Sequence, residues 1–229
     1  MKTFIFGDIH GCNREFSNLL TFLNPDPEAD RMILLGDLFD RGPDSWEVFQ
    51  TVRSLAVSFG DRFTLLRGNH EDYLLSEKLT LRQKMGWNRV GRQDTVRSFR
   101  AHGARMEDAA PFLREVCQPF YRDALIQCAH AAVVQDPIEA NDEWTLMHDH
   151  HAVLENTYAG PLTVTGHIAL EIPTWFAGDG ETRELVPWGE DLLLPKTGIL
   201  CIDTGCGKGG PLTALVLEEG VARLERTFA

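Results

Sequence analysis

Three times in its first 71 residues the chain runs a short apolar stretch into a polar block framed by glycine. Phe4-Ile5-Phe6 leads into Gly7-Asp8-Ile9-His10-Gly11. Met32-Ile33-Leu34-Leu35 leads into Gly36-Asp37-Leu38-Phe39-Asp40-Arg41-Gly42. Phe63-Thr64-Leu65-Leu66 leads, one residue on, into Gly68-Asn69-His70-Glu71. The apolar stretches read as strands, and helical patterns separate them. Phe16, Leu19, Leu20 and Leu23 follow the i, i+3, i+4, i+7 spacing of an amphipathic helix. Asn24-Pro25-Asp26-Pro27 ends it, and Pro43-Asp44-Ser45 opens a second helix toward Phe59. Strands alternating with helices predict a largely parallel sheet with right-handed crossovers. Ligands of such sheets gather outside the carboxyl ends of the strands. Asp8, His10, Asp37, Asp40, Arg41, Asn69 and His70 are therefore expected to converge there. The glycines permit sharp turns and close backbone approach to an ion or a phosphate. Carboxylates mixed with imidazoles suit manganese, iron or zinc. Without such cations the clustered aspartates would repel one another and shift their pKa values.

The blocks, in this order, resemble the PPP-type metallophosphoesterases, a calcineurin-like family with the pattern GDxHG, GDxxDRG, GNHE. All three are intact, 29 residues apart from Asp8 to Asp37 and 32 from Asp37 to Asn69. Two later histidines match the family's downstream positions: His130 after Leu125-Ile126-Gln127-Cys128-Ala129, and His167 in Thr163-Val164-Thr165-Gly166-His167. Ile202-Asp203-Thr204-Gly205, followed by Leu212-Thr213-Ala214, looks like the closing strands. The resemblance implies an α/β sandwich of two mixed sheets flanked by helices, and two divalent metal ions, manganese first. Asp8 and His10 would bind one metal, and Asp37 would bridge both. Asn69, His130 and His167 would complete the other. The site, with its metals roughly 3.5–4 Å apart, would hydrolyse phosphate esters through a metal-activated hydroxide. His70 would act as general acid, Asp40 would orient it, and Arg41 would grip the phosphate.

The chain departs from the family's protein phosphatases in one respect. They carry a second phosphate-binding arginine between the late histidines, whereas the stretch from His130 to His167 holds no arginine and no lysine here. Trp144 is followed by Thr145 and Leu146, and Ala131 stands in place of a usual glycine. Arg89, Arg92 or Arg97 is the expected substitute. The first expected substrate is a phosphoserine or phosphothreonine protein or a small phosphomonoester. The second is a dinucleoside polyphosphate of the diadenosine tetraphosphate type. A regulatory protein with a degenerate site is the non-enzymatic alternative.

Residues 72–119 change character and read as a helical insert or cap within one domain, 1–229. Glycines 86, 91 and 103 and Pro111 are expected to break it. Within it, the stretch from Lys78 to Arg105 holds Lys78, Arg82, Lys84, Arg89, Arg92, Arg97, Arg100 and Arg105 against a single acid, Asp94. Further strands are expected over 124–129, 162–165, 174–176, 199–203, 212–217 and 221–228, with hairpin turns at Gly178-Asp179-Gly180 and Glu219-Gly220. A net charge of −12 argues against nucleic acid or a membrane surface as partner. The five scattered cysteines, with no secretory or spanning segment, read as reduced thiols in the cytoplasm. His148-Asp149-His150-His151 reads as a solvated loop rather than a third metal site.

Overall fold

Continuous apolar strands imply burial on both faces, and the first three are so buried. In the computed structural model, which describes residues 1–227, they are β1 (Lys2–Phe6), β2 (Arg31–Leu34) and β3 (Phe63–Leu66). The helices α1 (Asn13–Leu23) and α2 (Ser45–Phe59) connect them. Next come α3 (Asn69–Leu75), α4 (Leu81–Arg89), α5 (Arg92–Ala101) and α6 (Ala110–Val116). The strands β4 (Cys117–Gln118), β5 (Phe120–Arg122) and β6 (Gln127–Ala129) precede α7 (Glu143–His148) and α8 (His151–Glu155). The chain ends with β7 (Thr163–Thr165), β8 (Thr174–Phe176), β9 (Arg183–Leu185), β10 (Asp191–Leu192), β11 (Ile199–Cys201), β12 (Leu212–Glu218) and β13 (Val221–Thr227). Phe228, where the expected last strand ends, lies outside the described residues.

One sheet has the order β10-β13-β12-β1-β2-β3-β4, parallel from β1 to β4 and antiparallel beyond. The other has the order β5-β6-β7-β11-β8-β9, parallel only across β6, β7 and β11. The expected pair of mixed sheets flanked by helices is therefore present. Side-chain alternation divides the core into layers. Phe4, Phe6 and Leu34 pack with Phe16 and Leu19 under the helices. Ile5, Ile33 and Leu66 meet Val164 and Leu200 between the sheets. Phe176 and Cys201 face Leu146 and Val153 on the far side.

The helices of residues 72–119 pack onto the first sheet's core. Trp87, Phe99, Met106 and Leu113 join the same core as Phe39 and Phe49. Gly86 does not break its helix. A glycine there costs about 1 kcal/mol, and the Thr80–Gln83 capping box stabilises the preceding turn. Pro111 falls in the first turn of α6, where its missing N–H costs nothing. The strand expected over 124–129 starts only at Gln127, because Asp123 Oδ1 accepts from the backbone N–H of Leu125 and Ile126 and turns the chain. No helix among the described residues is long and apolar enough to cross a membrane.

Phe99 locks the insert down. It is fully buried, with ring centroids 5.2 Å from Trp46, 5.7 Å from Phe49 and 5.8 Å from Phe39. Phe99→Ala is expected to cost about 3–5 kcal/mol of stability, measured as a lowered urea midpoint. A loss below about 1 kcal/mol would mean that the insert contributes little to the core.

Candidate active site

The loops that leave β1, β2, β3, β6 and β7 meet at one place. Five residues in them take left-handed backbone: His10, Asp37, Asp40, Arg41 and His167 have φ between 48° and 70°. Such backbone costs about 1–3 kcal/mol per residue and persists where the surroundings over-determine it. Glu71 holds the second loop in place. Its carboxylate accepts from the backbone N–H of Asp37 at 2.7 Å, Leu38 at 2.9 Å and Gly68 at 3.1 Å. Burial, and then repulsion by Asp37, push its pKa up to about 7. Glycine is required at 68, where a Cβ would collide with Asp37 Oδ1, and at 166, where it would strike Asp8 Oδ1.

Two donor groups form, and both contain Asp37. His10, Asp37 and His70 make one, and Asp37, His130 and His167 the other, with the donor atoms of each group within 4.8 Å of one another. The tautomers identify what these groups can hold. His130 Nδ1 lies 2.8 Å from Leu35 O, a pure acceptor, so Nδ1 carries the proton. Burial pushes the His130 pKa down, which leaves Nε2 bare. That lone pair faces Asn69 Oδ1 at 3.2 Å and Asp37 Oδ1 at 3.5 Å. Asn69 Oδ1 also lies 2.9 Å from His167 Nδ1, and the His167 pKa is lowered to about 3 by burial and by His130. Lone pairs converging on one point fit a cation. His10 repeats the device. Its Nδ1 donates to Phe39 O at 2.9 Å, and its Nε2 lies 3.5 Å from Asp37 Oδ2 and 3.8 Å from Asp8 Oδ2. Backbone carbonyls thus orient the rings, as they commonly do behind metal-ligating histidines. The Arg41 guanidinium donates to the same His10 Nε2.

The carboxylates tell the same story. Burial, then Asp203 and Asp37, hold the Asp8 pKa well above the carboxylate range. Burial also opposes ionisation of Asp37, but His130, His70, His10 and His167 outweigh it and hold the group far below that range. His70 stands beside this centre. Its Nδ1 donates to Asp40 Oδ2 at 2.6 Å, and its Nε2 lies 3.8 Å from Asp37 Oδ2. Burial opposes its charge, but Asp37 and Asp40 prevail and raise its pKa.

The calcineurin-like phosphoesterase model matches residues 1–189. The chain belongs to that family. Among its relatives, the symmetrical bis(5'-nucleosyl)-tetraphosphatase of Erwinia tasmaniensis is 46% identical over 33% of this chain and 26% of its own length. At that identity the match spans only about a quarter of the relative. The protein of the same name from Marinomonas sp. is 26% identical and matches over 96% of this chain and 94% of its own. The structure of a metallophosphoesterase from Sphaerobacter thermophilus shares the fold. It has a TM-score of 0.67 at 14% identity and covers all of this chain and 90% of its own.

Beyond the family motif, the insert supplies a clamp on Asp40 that sequence reasoning missed. Trp87 Nε1 donates to Asp40 Oδ2 at 2.6 Å, and Thr95 Oγ1 donates to Asp40 Oδ1 at 2.5 Å. The Asp40 N–H donates back to Thr95 Oγ1 at 2.8 Å. Asp40 therefore has no freedom to leave His70. Trp87→Phe keeps the ring and deletes the donor. It is expected to lower kcat roughly tenfold, the worth of one charge-assisted hydrogen bond, with KM little moved. An unchanged kcat would show that the clamp is dispensable.

Asp203 was also missed as a site residue. It follows β11 as Asp8 follows β1, and one of its buried oxygens, Oδ2, has no hydrogen-bond partner. The only warning was the same apolar-run-then-Asp signal, without a second polar residue to strengthen it. The insert arginines sort differently from expectation. Arg92 lies 4.9 Å over the Trp87 ring, and Arg97 pairs with Asp94. Among the described residues neither makes a hydrogen bond or ion pair to the donor groups. The histidine loop is only partly solvated: His148 Nε2 binds Asp72 Oδ2 at 3.0 Å, and the His150 ring lies 6.3 Å from that of His167.

Proposed function

We propose that this chain is a metal-dependent hydrolase that splits dinucleoside tetraphosphates symmetrically. The observation that carries the chemistry is the sharing of Asp37 by two adjoining donor groups. The substrate reading takes its support from the relatives, whose printed names specify symmetrical nucleosyl-tetraphosphate cleavage. It displaces the phosphoprotein expectation, and the arginine-free stretch between His130 and His167 agrees with the change, because that stretch lacks the second phosphate clamp of the protein phosphatases.

Asp8, 3.8 Å from His10, would join His10 and Asp37 on one divalent cation, leaving His70 of that donor group protonated as the acid, and Asp37, Asn69, His130 and His167 would hold a second, with manganese the first choice and iron or zinc served by the same donors. Bound there, the cations would supply Lewis acidity that activates water and neutralises phosphoryl charge. The side chains provide the rest. Arg41 turns its guanidinium from His10 to two oxygens of the attacked phosphate. His70 keeps a proton on Nε2 on the leaving-group side, held by Asp40, Trp87 and Thr95. Water adds its hydroxyl to phosphorus and gives up its other proton to solvent, the bond from phosphorus to the bridging oxygen breaks, that oxygen departs with the His70 proton, and His70 is reprotonated from solvent. The products are two nucleoside diphosphates. All five cysteines are unpaired, which suits a reducing, cytoplasmic setting.

The test supplies Mn2+ and compares diadenosine tetraphosphate, p-nitrophenyl phosphate and a phosphoserine peptide. Two ADP per substrate, with no AMP or ATP, is the expected result. Faster turnover of the peptide returns the assignment to a protein phosphatase, and no turnover of any substrate favours a non-catalytic role.

A further inference from the structure

We infer that the groove between α3 and α4, beside His70, is the subsite for the leaving nucleoside diphosphate. The inference rests on the dinucleoside polyphosphate reading above. The groove holds about 700 Å³ and is lined by Tyr73, Leu81, Arg82, Met85, Gly86 and Arg89. That volume lies within the range that takes a nucleotide-sized ligand.

Its position follows from the chemistry. A general acid must stand on the side from which the leaving group departs. Tyr73 lines the groove, and its ring meets the His70 ring edge-on at 6.3 Å, so one side chain links the groove to the acid.

Its lining fits both halves of a nucleotide. Arg82 and Arg89 are exposed, and among the described residues neither makes a hydrogen bond or an ion pair. In a chain of net charge −12, two uncommitted guanidinium groups in a groove that shares Tyr73 with the acid's surroundings suit an anion. Arg92 and Arg97, by contrast, are already engaged. Leu81 and Met85 are 75% and 50% exposed and offer an apolar surface for a base next to Tyr73. Tyr73 is itself held rigid by stacking on Trp87 at 5.8 Å. Gly86 weakens its helix, yet a Cβ there would touch nothing within 4 Å. Its bareness widens the groove rather than relieving a clash.

The experiment pairs the double substitution Arg82→Gln and Arg89→Gln with the unaltered protein, on diadenosine tetraphosphate and on p-nitrophenyl phosphate, with ADP binding followed by calorimetry. Both substitutions are at exposed positions and leave the core intact. The variant is expected to lose at least about tenfold more kcat/KM on the dinucleotide than on the aryl phosphate, and to bind ADP about tenfold more weakly, as the loss of charge-assisted phosphate contacts implies. Turnover of both substrates with equal losses, or with none, overturns the groove and leaves the substrate reading standing. Turnover of p-nitrophenyl phosphate alone by the unaltered protein overturns the substrate reading and the groove with it.

Discussion

Asp37→Asn is expected to lower kcat by on the order of a thousandfold or more and to deplete the protein of bound metal. No other side chain belongs to both donor groups. One oxygen of Asp37 faces His130 Nε2 at 3.5 Å and the other faces His10 Nε2 at 3.5 Å. An amide offers one oxygen and one NH2, so it can serve one side only, and the charge that balances the cations is gone. Losing even one electrostatic contact to a transition state costs about 10²–10³ in rate, and here both cation positions suffer. The fold should survive, because the backbone N–H of Asp37 still donates to Glu71 and the Asn oxygen can still accept from His70 N–H, now 3.0 Å from Oδ1. The measurement is steady-state kinetics beside elemental analysis of the purified variant. Full metal occupancy with kcat within tenfold of the parent would sink the shared-carboxylate mechanism.

His70→Asn has the second largest effect, and its size depends on the leaving group. On phenyl phosphate, which needs a proton as it departs, the loss is about a hundredfold or more. On p-nitrophenyl phosphate, whose leaving group stabilises its own charge, it is about tenfold or less. The reason is geometric. His70 Nδ1 is committed to Asp40 at 2.6 Å, so only Nε2 can deliver a proton, and Nε2 points toward Asp37. A series of aryl phosphates of graded leaving-group basicity measures this as a slope. The variant's rates should fall more steeply with basicity than the parent's. Equal slopes would assign His70 a binding role instead.

Both substitutions concern residues that are local in the sequence. The polar blocks sit directly after apolar strands, and a strand end in an α/β sheet is a ligand position whatever the rest of the chain does. That is why Asp8, His10, Asp37, Asp40, Arg41, Asn69 and His70 could be named from the sequence, and why His130 and His167, each at the end of a short apolar run, could be added. The two-sheet architecture was less direct. Alternation alone predicts one largely parallel sheet, and only the family resemblance implied the second.

The tertiary structure decided the rest. Trp87 and Thr95 lie 47 and 55 residues from the Asp40 they hold, with α2 and α3 before the first and α4 as well before the second, and no periodicity links them. Nothing in the sequence marks their side chains, and they meet Asp40 only because packing of Phe99 against Phe39 and Phe49 brings α4 and α5 over the second loop. Asp203 had a strand before it but no partner to mark it. The arginines of the insert formed one basic run in the sequence, and the helix faces divided them: Arg92 against a ring, Arg97 against an acid, Arg82 and Arg89 into the groove. The sequence by itself determined the donor types and the phosphoryl chemistry, because those follow from residues set on single strand ends. Which side chains hold Asp40 against His70, and which insert arginines stay uncommitted, depended on contacts between distant elements, and only the folded chain defines those.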